Sequence, residues 1–321
     1  MNNILILALK VSKYLINKLN KKNETKPECE RNPDIVSNII FEHLSNDKPC
    51  LIARFGAYEL ATLVNYLGVK YGKKNYISYI LGKELDWWWN KSLINSMHTN
   101  AGFFPPDINQ IEKFSELLIN DIPQIDILGS WLYDEKIFEK DLINTEKVWL
   151  DYLNPFLSNN PWSRVLENKK VLVVHPFVNT IKSQYQNREY LFKNKNVLPK
   201  FELITLKAVQ SISGQKCEFK SWFAALDYMK NEIDNYEYDI CLIGAGAYGL
   251  PLATHVKRQG KKAVHLGGSL QLLFGIRGKR WEDPNLNKDY CFADYINEYW
   301  VRPSEEETPL NAKNVEGACY W

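Results

Sequence analysis

The chain has little of what usually assigns a protein quickly. Its cysteines (Cys29, Cys50, Cys217, Cys241, Cys291 and Cys319) are scattered, with no C-x-x-C pair. That argues against a zinc site or a disulfide framework and fits reduced thiols in a cytoplasmic enzyme. The five histidines show no metal-ligand spacing. Neither sign of charge is in excess: 40 basic residues against 38 acidic ones leave a net charge of +2, so no basic field points to nucleic acid. Internal repeats, low-complexity tracts and apolar runs of membrane-spanning length are also missing. What remains, 45% hydrophobic and 24% charged residues over 321 positions, describes a soluble globular protein with ample core. The 13% aromatic content leaves two readings open, core rings or rings that stack on sugars and bases.

Periodicity divides the chain at 31. Residues 1–22 read as an amphipathic helix with Ile4, Leu7, Val11, Leu15 and Leu19 on one face and Lys10, Lys13, Lys18, Lys21 and Lys22 among the rest. Such a helix suits a membrane surface, or packs on the body of the protein. A polar linker follows, and Asn32-Pro33-Asp34 then starts a helix, with Asn as cap and Pro in the first turn. Residues 32–321 make one α/β domain with a sub-boundary near 154–168, where Asn and Pro cluster. CLIARF, IDILGSW, VLVVHPF, FELITL, YDICLIG and KKAVHLGG read as strands alternating with helices, which predicts a parallel, Rossmann-like sheet with helices on both faces. DWWWNKSLINSMH reads as helical, the two aromatic clusters around it (Trp87–Trp89 and Phe103-Phe104) as an acceptor lid, and the last twenty residues as a surface tail.

The stretch YDICLIGAGAYGL joins a strand to a G-x-G-x-x-G of Gly244, Gly246 and Gly249. A dinucleotide fold places Asp or Glu at the end of the next strand to hold a ribose. Here that strand ends in His265-Leu266-Gly267-Gly268, with no carboxylate. The turn therefore reads as a helix N-terminus that holds the phosphates of a nucleotide diphosphate. Other strand ends carry Arg54-Phe55-Gly56-Ala57-Tyr58-Glu59, Gly129-Ser130-Trp131 and His175-Pro176-Phe177. Ligands of such folds bind at the carboxyl ends of the strands.

RFGAYE in an early strand-helix turn, with LIGAGAYGLPLATHVKRQGKKAVHLGG late in the chain, resembles the GT-D-type glycosyltransferases. The likeness runs from about residue 50 to 269. The phrases at 175–177, 181–185, 272–281 and 316–321 are similar to those of proteins from bacterial polysaccharide clusters. The resemblance implies a GT-D-like fold and a cytoplasmic transferase of surface-glycan assembly (capsule or O-antigen). It would take a nucleotide-sugar donor and a glycan or lipid-linked acceptor. Peripheral membrane contact through residues 1–22 is a separate expectation, from their amphipathic pattern alone. The resemblance also implies a divalent metal, Mn²⁺ or Mg²⁺, on the Asp-x-Glu of the first turn. Those positions are Ala57 and Glu59, so Glu59 is the ligand if a metal is bound. A hard cation wants several oxygens, so the lost carboxylate counts against one.

The expected catalytic residues are Glu59, His175 and Asp134. The expected donor-binding residues are Arg54, Gly56, Ser130, Lys182, Arg188, Gly244, Gly246, Tyr248, His265, Gly267, Gly268, Lys279 and Arg280. Two other readings stay open, a nicotinamide-dependent oxidoreductase or epimerase and a non-catalytic assembly protein.

Overall fold

The computed structural model describes residues 2–19, 26–212, 215, 217–284, 292–315 and 317–321. Cys291, Lys21, Lys22 and Glu316 lie outside the described residues. Seven strands form one sheet: β1 (Cys50–Ala53), β2 (Ile127–Ser130), β3 (Glu146–Trp149), β4 (Lys170–His175), β5 (Glu202–Lys207), β6 (Ile240–Ile243) and β7 (Lys262–His265). Their order is β3-β2-β1-β7-β6-β4-β5, and every pairing is parallel. The short apolar runs are the reason. A strand covered on both faces has no polar side to alternate, and β1, β2 and β6 are buried at every residue. Strand β3 is not legible in the sequence because Glu146 and Lys147 open it at the sheet edge, where solvent tolerates them.

The helices are α1 (Asn3–Leu19), α2 (Pro33–Ser45), α3 (Ala57–Tyr71), α4 (Tyr76–Ile80), α5 (Lys91–Ala101), α6 (Ile108–Asp121), α7 (Val178–Gln186), α8 (Arg188–Leu191), α9 (Trp222–Asp234), α10 (Gly249–Arg258), α11 (Leu270–Leu273) and α12 (Lys279–Glu282). Helix α2 starts as expected: the Asn32 side chain accepts from the Asp34 and Ile35 amides, with Pro33 in the first turn. Two cores flank the sheet. One takes Leu60 and Leu63 of α3, Phe114 of α6, Trp222 of α9 and Leu252 of α10. The other takes Ile40 of α2, Ile181 of α7, Leu270 of α11 and Trp162.

Three local expectations are corrected. The helix read from Asp86 begins only at Lys91, capped by Asn90. Asn65 holds the preceding segment extended, donating to the Asp86 and Trp88 carbonyls and accepting from the Asn90 amide. The aromatic lid is not formed: Trp87 and Trp88 pack with Tyr79 and Leu9 of α1, and Phe103 lies in the core against Phe114 and Trp222. The end of the chain is no surface tail, since Val315 and Cys319 are buried and the Trp321 ring meets Phe177 at 6.2 Å.

Candidate functional site

A crevice opens at the carboxyl edge of a parallel sheet where neighbouring strands send the chain to opposite faces. Strand β1 runs into α3 on one face, while its neighbour β7 runs into α11 on the other. The same reversal separates β6, which leads to α10, from β4, which leads to α7. Neighbours β7 and β6 reverse likewise, so switch points run from β1 to β4, and residues expected in the site from distant parts of the sequence meet in two crevices along them.

The β1/β7 crevice is the charged one. Arg54, Gly56, Glu59, His265, Gly267 and Arg280 line it, with Trp131 and Asn100. Arg54 leaves the end of β1 and lies across the turn after β7. A Cβ on Gly267 would stand 3.6 Å from its Nη1, and Gly267 has a φ of +62°, which glycine adopts without strain. The guanidinium sits 5.1 Å from the Trp131 ring centre, and that indole donates to the Phe55 carbonyl at 3.1 Å. Glu59 belongs to the first turn of α3 and folds back so far that a Cβ on Gly56 would overlap its carboxyl. Burial pushes the Glu59 carboxyl above the ordinary carboxylate range, against the pull of its own backbone amide and of the Arg54 charge. Burial lowers Arg54 as well, opposed chiefly by Glu59.

The β4/β6 crevice is neutral and ringed. Its walls include His175, Phe177, Ser211, Gly244, Tyr248 and Trp321. Tyr248 stacks on Trp222 with ring centres 4.9 Å apart and an interplanar angle of 7°. The Phe177 amide donates to His175 Nδ1 at 3.0 Å, so the neutral ring carries its proton on Nε2. Burial holds His175 at about 3, and burial with the Arg54 charge does the same to His265. Both rings are neutral near pH 7, which suits hydrogen bonding better than proton transfer. The glycines here make room. A Cβ on Gly244 would stand 2.6 Å from the His175 ring, and one on Gly249 would overlap the His265 ring.

Tyr320 divides the two crevices. Its ring covers Gly268, where a Cβ would overlap it, and its hydroxyl accepts from Arg280 Nη1 at 3.1 Å. Gly246, with φ of +53°, and Asn100 border both crevices. A third compartment beside Arg54 and Arg280 reaches Asp151, Asn154 and Trp281.

Not every expected residue comes to these crevices. Ser130 is fully buried and donates to the Glu135 carboxylate, which also accepts from the Trp131 and Leu132 amides. Asp134 follows on a 3-10 turn (Tyr133–Phe138) and lines neither crevice. Lys182 and Lys279 are exposed, and Arg188 pairs with Glu189 at 2.9 Å. Sequence reasoning missed Asn100 and Tyr320. The signals for Tyr320 were the aromatic pair at 320–321 and the likeness of the phrase at 316–321.

Glu59 is the one carboxylate on the β1/β7 crevice, and among the described residues no group of three or more His, Cys, Asp or Glu could hold a metal ion. The donor set does not fit a divalent cation, because Arg54 and Arg280 bring two positive charges to a single carboxylate. Cys29, Cys50, Cys217, Cys241 and Cys319 are free thiols.

A family model described as a GT-D fold-like domain matches residues 31–273. No curated protein and no solved structure matches the chain.

Proposed function

The chain belongs to the GT-D-like family, and from that premise we propose that it moves a sugar from a nucleotide-diphosphate donor to a surface glycan or lipid-linked acceptor. The observation that carries this reading is the meeting of Arg54 and Arg280 over the Gly267-Gly268 turn at a switch point of the sheet. A diphosphate needs fixed positive charge and close backbone approach, and guanidinium groups bind phosphate oxygens in pairs. In the reaction an acceptor hydroxyl forms a bond to the anomeric carbon. The bond from that carbon to the diphosphate breaks, and the nucleoside diphosphate leaves with the electron pair. Charge grows on the leaving oxygens, where the two arginines are already in place and need no reorganisation. The hydroxyl proton goes to Glu59, whose burial-raised pKa brings it closer to a useful base. No step needs a metal ion, so turnover is expected to survive EDTA. A strict, reversible requirement for Mn²⁺ or Mg²⁺ would overturn that.

The testing experiment is a thermal-shift screen with UDP, GDP and NAD, followed by assay of nucleoside diphosphate release from sugar nucleotides. A nucleoside diphosphate at about 100 times its Kd should add about 2.7 kcal/mol of stability. Stabilisation by NAD alone would favour an oxidoreductase, against which stands the absence of a carboxylate at the end of β7. A non-catalytic assembly protein gains some support from the way Glu59 turns onto its own helix start. Binding of a sugar nucleotide with no turnover would favour it.

A further inference from the structure

Helix α1 turns its broader apolar face away from the protein. Leu9 is its buried residue, packed with Tyr79, Trp87 and Trp88. Ile4 is 76% exposed, Leu7 64%, Leu15 52% and Leu19 78%, with Val11 and Tyr14 also in solvent. At 100° per residue these six share one half of the helix circumference, and Lys18 is the one charged residue among the exposed positions of α1. The helix is held in this orientation from its other side: Lys10 lies 3.7 Å from Asp86, and Lys13 sits 4.3 Å from the Tyr79 ring centre.

Charge supplies the second observation. Residues 1–22 carry five lysines and no acidic residue, in a chain whose charges otherwise nearly cancel; Lys10 and Lys13 are engaged with Asp86 and Tyr79, and Lys18 is exposed. Residues 70–83, around helix α4 against which α1 packs, add another stretch without Asp or Glu. Lys70, Lys73, Lys74 and Lys83 are exposed around exposed Tyr76 and Ile77, and the Glu84 carboxylate at their border accepts from the Lys73 amide. Apolar side chains ringed by lysine and tyrosine match the border of a bilayer, where chains meet headgroups. At about 1.5 Å per residue, the 17 residues of α1 reach roughly 25 Å, and among the described residues no helix is long and apolar enough to cross a membrane.

We propose that α1 and the flank of α4 dock the protein flat on an anionic lipid surface. A second copy of the chain would bring one set of lysines against another, whereas anionic headgroups neutralise both sets. The inference does not depend on the reaction catalysed.

Co-sedimentation of the full chain with vesicles tests it, comparing phosphatidylglycerol-containing with pure phosphatidylcholine vesicles. Binding to the anionic vesicles is expected, weakening as salt rises to about 0.5 M. Leu7→Glu with Leu15→Glu should lower partitioning at least about tenfold, since each buried apolar side chain contributes substantially to insertion. Lys73→Glu with Lys74→Glu should lower it about fivefold or more per residue. Both pairs are exposed, so circular dichroism should match the parent. Failure to bind anionic vesicles overturns the proposal, as does equal, salt-independent binding to neutral ones. A concentration-dependent dimer that Leu7→Glu with Leu15→Glu dissolves would overturn it in favour of a second copy.

Discussion

The crevice between β1 and β7 gathers Arg54, Arg280 and Glu59, whereas the crevice between β4 and β6 is lined by His175, Phe177, Tyr248, Ser211 and Trp321, with no Lys, Arg, Asp or Glu among its described residues. They lie on one edge of one sheet, yet the first carries the positive charge that the proposed diphosphate needs and the second presents neutral and aromatic side chains. The difference comes from how each strand ends. Strand β1 ends in an arginine over a glycine turn, and β4 ends in an imidazole packed against glycine and aromatic neighbours. Asn100, Gly246, Gly268 and Tyr320 form a wall that the two crevices share.

If the chemistry lies in the charged crevice, the two sides should respond unequally to conservative changes. Glu59→Gln keeps shape and removes charge, and is expected to lower turnover by about 10²–10⁴-fold, the usual loss of a general base. His175→Asn, in the neutral crevice, should stay within several-fold of the parent. Steady-state turnover of both variants beside their melting temperatures decides it. Near-normal turnover of Glu59→Gln with a lowered melting temperature would make Glu59 a helix-start carboxylate only, worth about 0.3–1 kcal/mol.

Acidity sharpens the comparison next. The folded-state pKa of His175 is about 3, below an unfolded value near 6.5. As pH falls below 6.5 the unfolded chain takes up the proton first. Stability present above that pH is therefore lost progressively towards pH 3. At pH 5 the loss is roughly 2 kcal/mol for this residue. Asp121, which burial raises to about 6 against the pull of Arg258, acts in the opposite sense, because the folded chain takes its proton first. Only a difference isolates the histidine. Denaturant midpoints at pH 7 and pH 5 should fall less for His175→Asn, which keeps an acceptor for the Phe177 amide, than for the parent. Equal falls would place the ring in solvent.

The dividing wall should give a smaller effect on both sides. Tyr320→Phe removes one acceptor of Arg280, and hydrogen bonds to charged groups contribute about 1.5–3 kcal/mol. Nucleotide affinity measured by calorimetry should fall about tenfold with the fold unchanged. Unaltered affinity would detach Tyr320 from the donor site. Smallest is Gly246→Ala. Its left-handed backbone costs a Cβ-bearing residue about 1 kcal/mol, although open space surrounds the new methyl, with the Ala101 carbonyl as nearest neighbour at 3.5 Å. A melting temperature equal to the parent's would mean that the turn relaxes out of that conformation.

Much of this plan can be read locally. The turn from Arg54 to Glu59, the glycine turns after β6 and β7, and the alternation of strand and helix all appear where periodicity and glycine placement put them. The failures have physical causes. Asp86–Asn90 has a helical pattern, but hydrogen bonds from Asn65, a residue of another helix, hold it extended. Ser130 ends a strand as expected, yet its hydroxyl is taken by Glu135. Stripe and periodicity in α1 were legible, but which side meets the body was not: Leu9 is covered while Ile4 and Leu19 are exposed.

The sequence by itself determined the α/β class, the parallel sheet and the strand ends that carry polar side chains, because these follow from short-range periodicity, capping and glycine conformation. Only the tertiary structure decided which ends become neighbours. Strand β7 inserts between β1 and β6, pairing Ile52 with Val264 on one side and Ile243 with His265 on the other. That order rests on contacts some two hundred residues apart, which no local pattern encodes. It sets Arg54 against Gly267, and the return of the chain end places Tyr320 over Gly268, beyond the span that the family model matches.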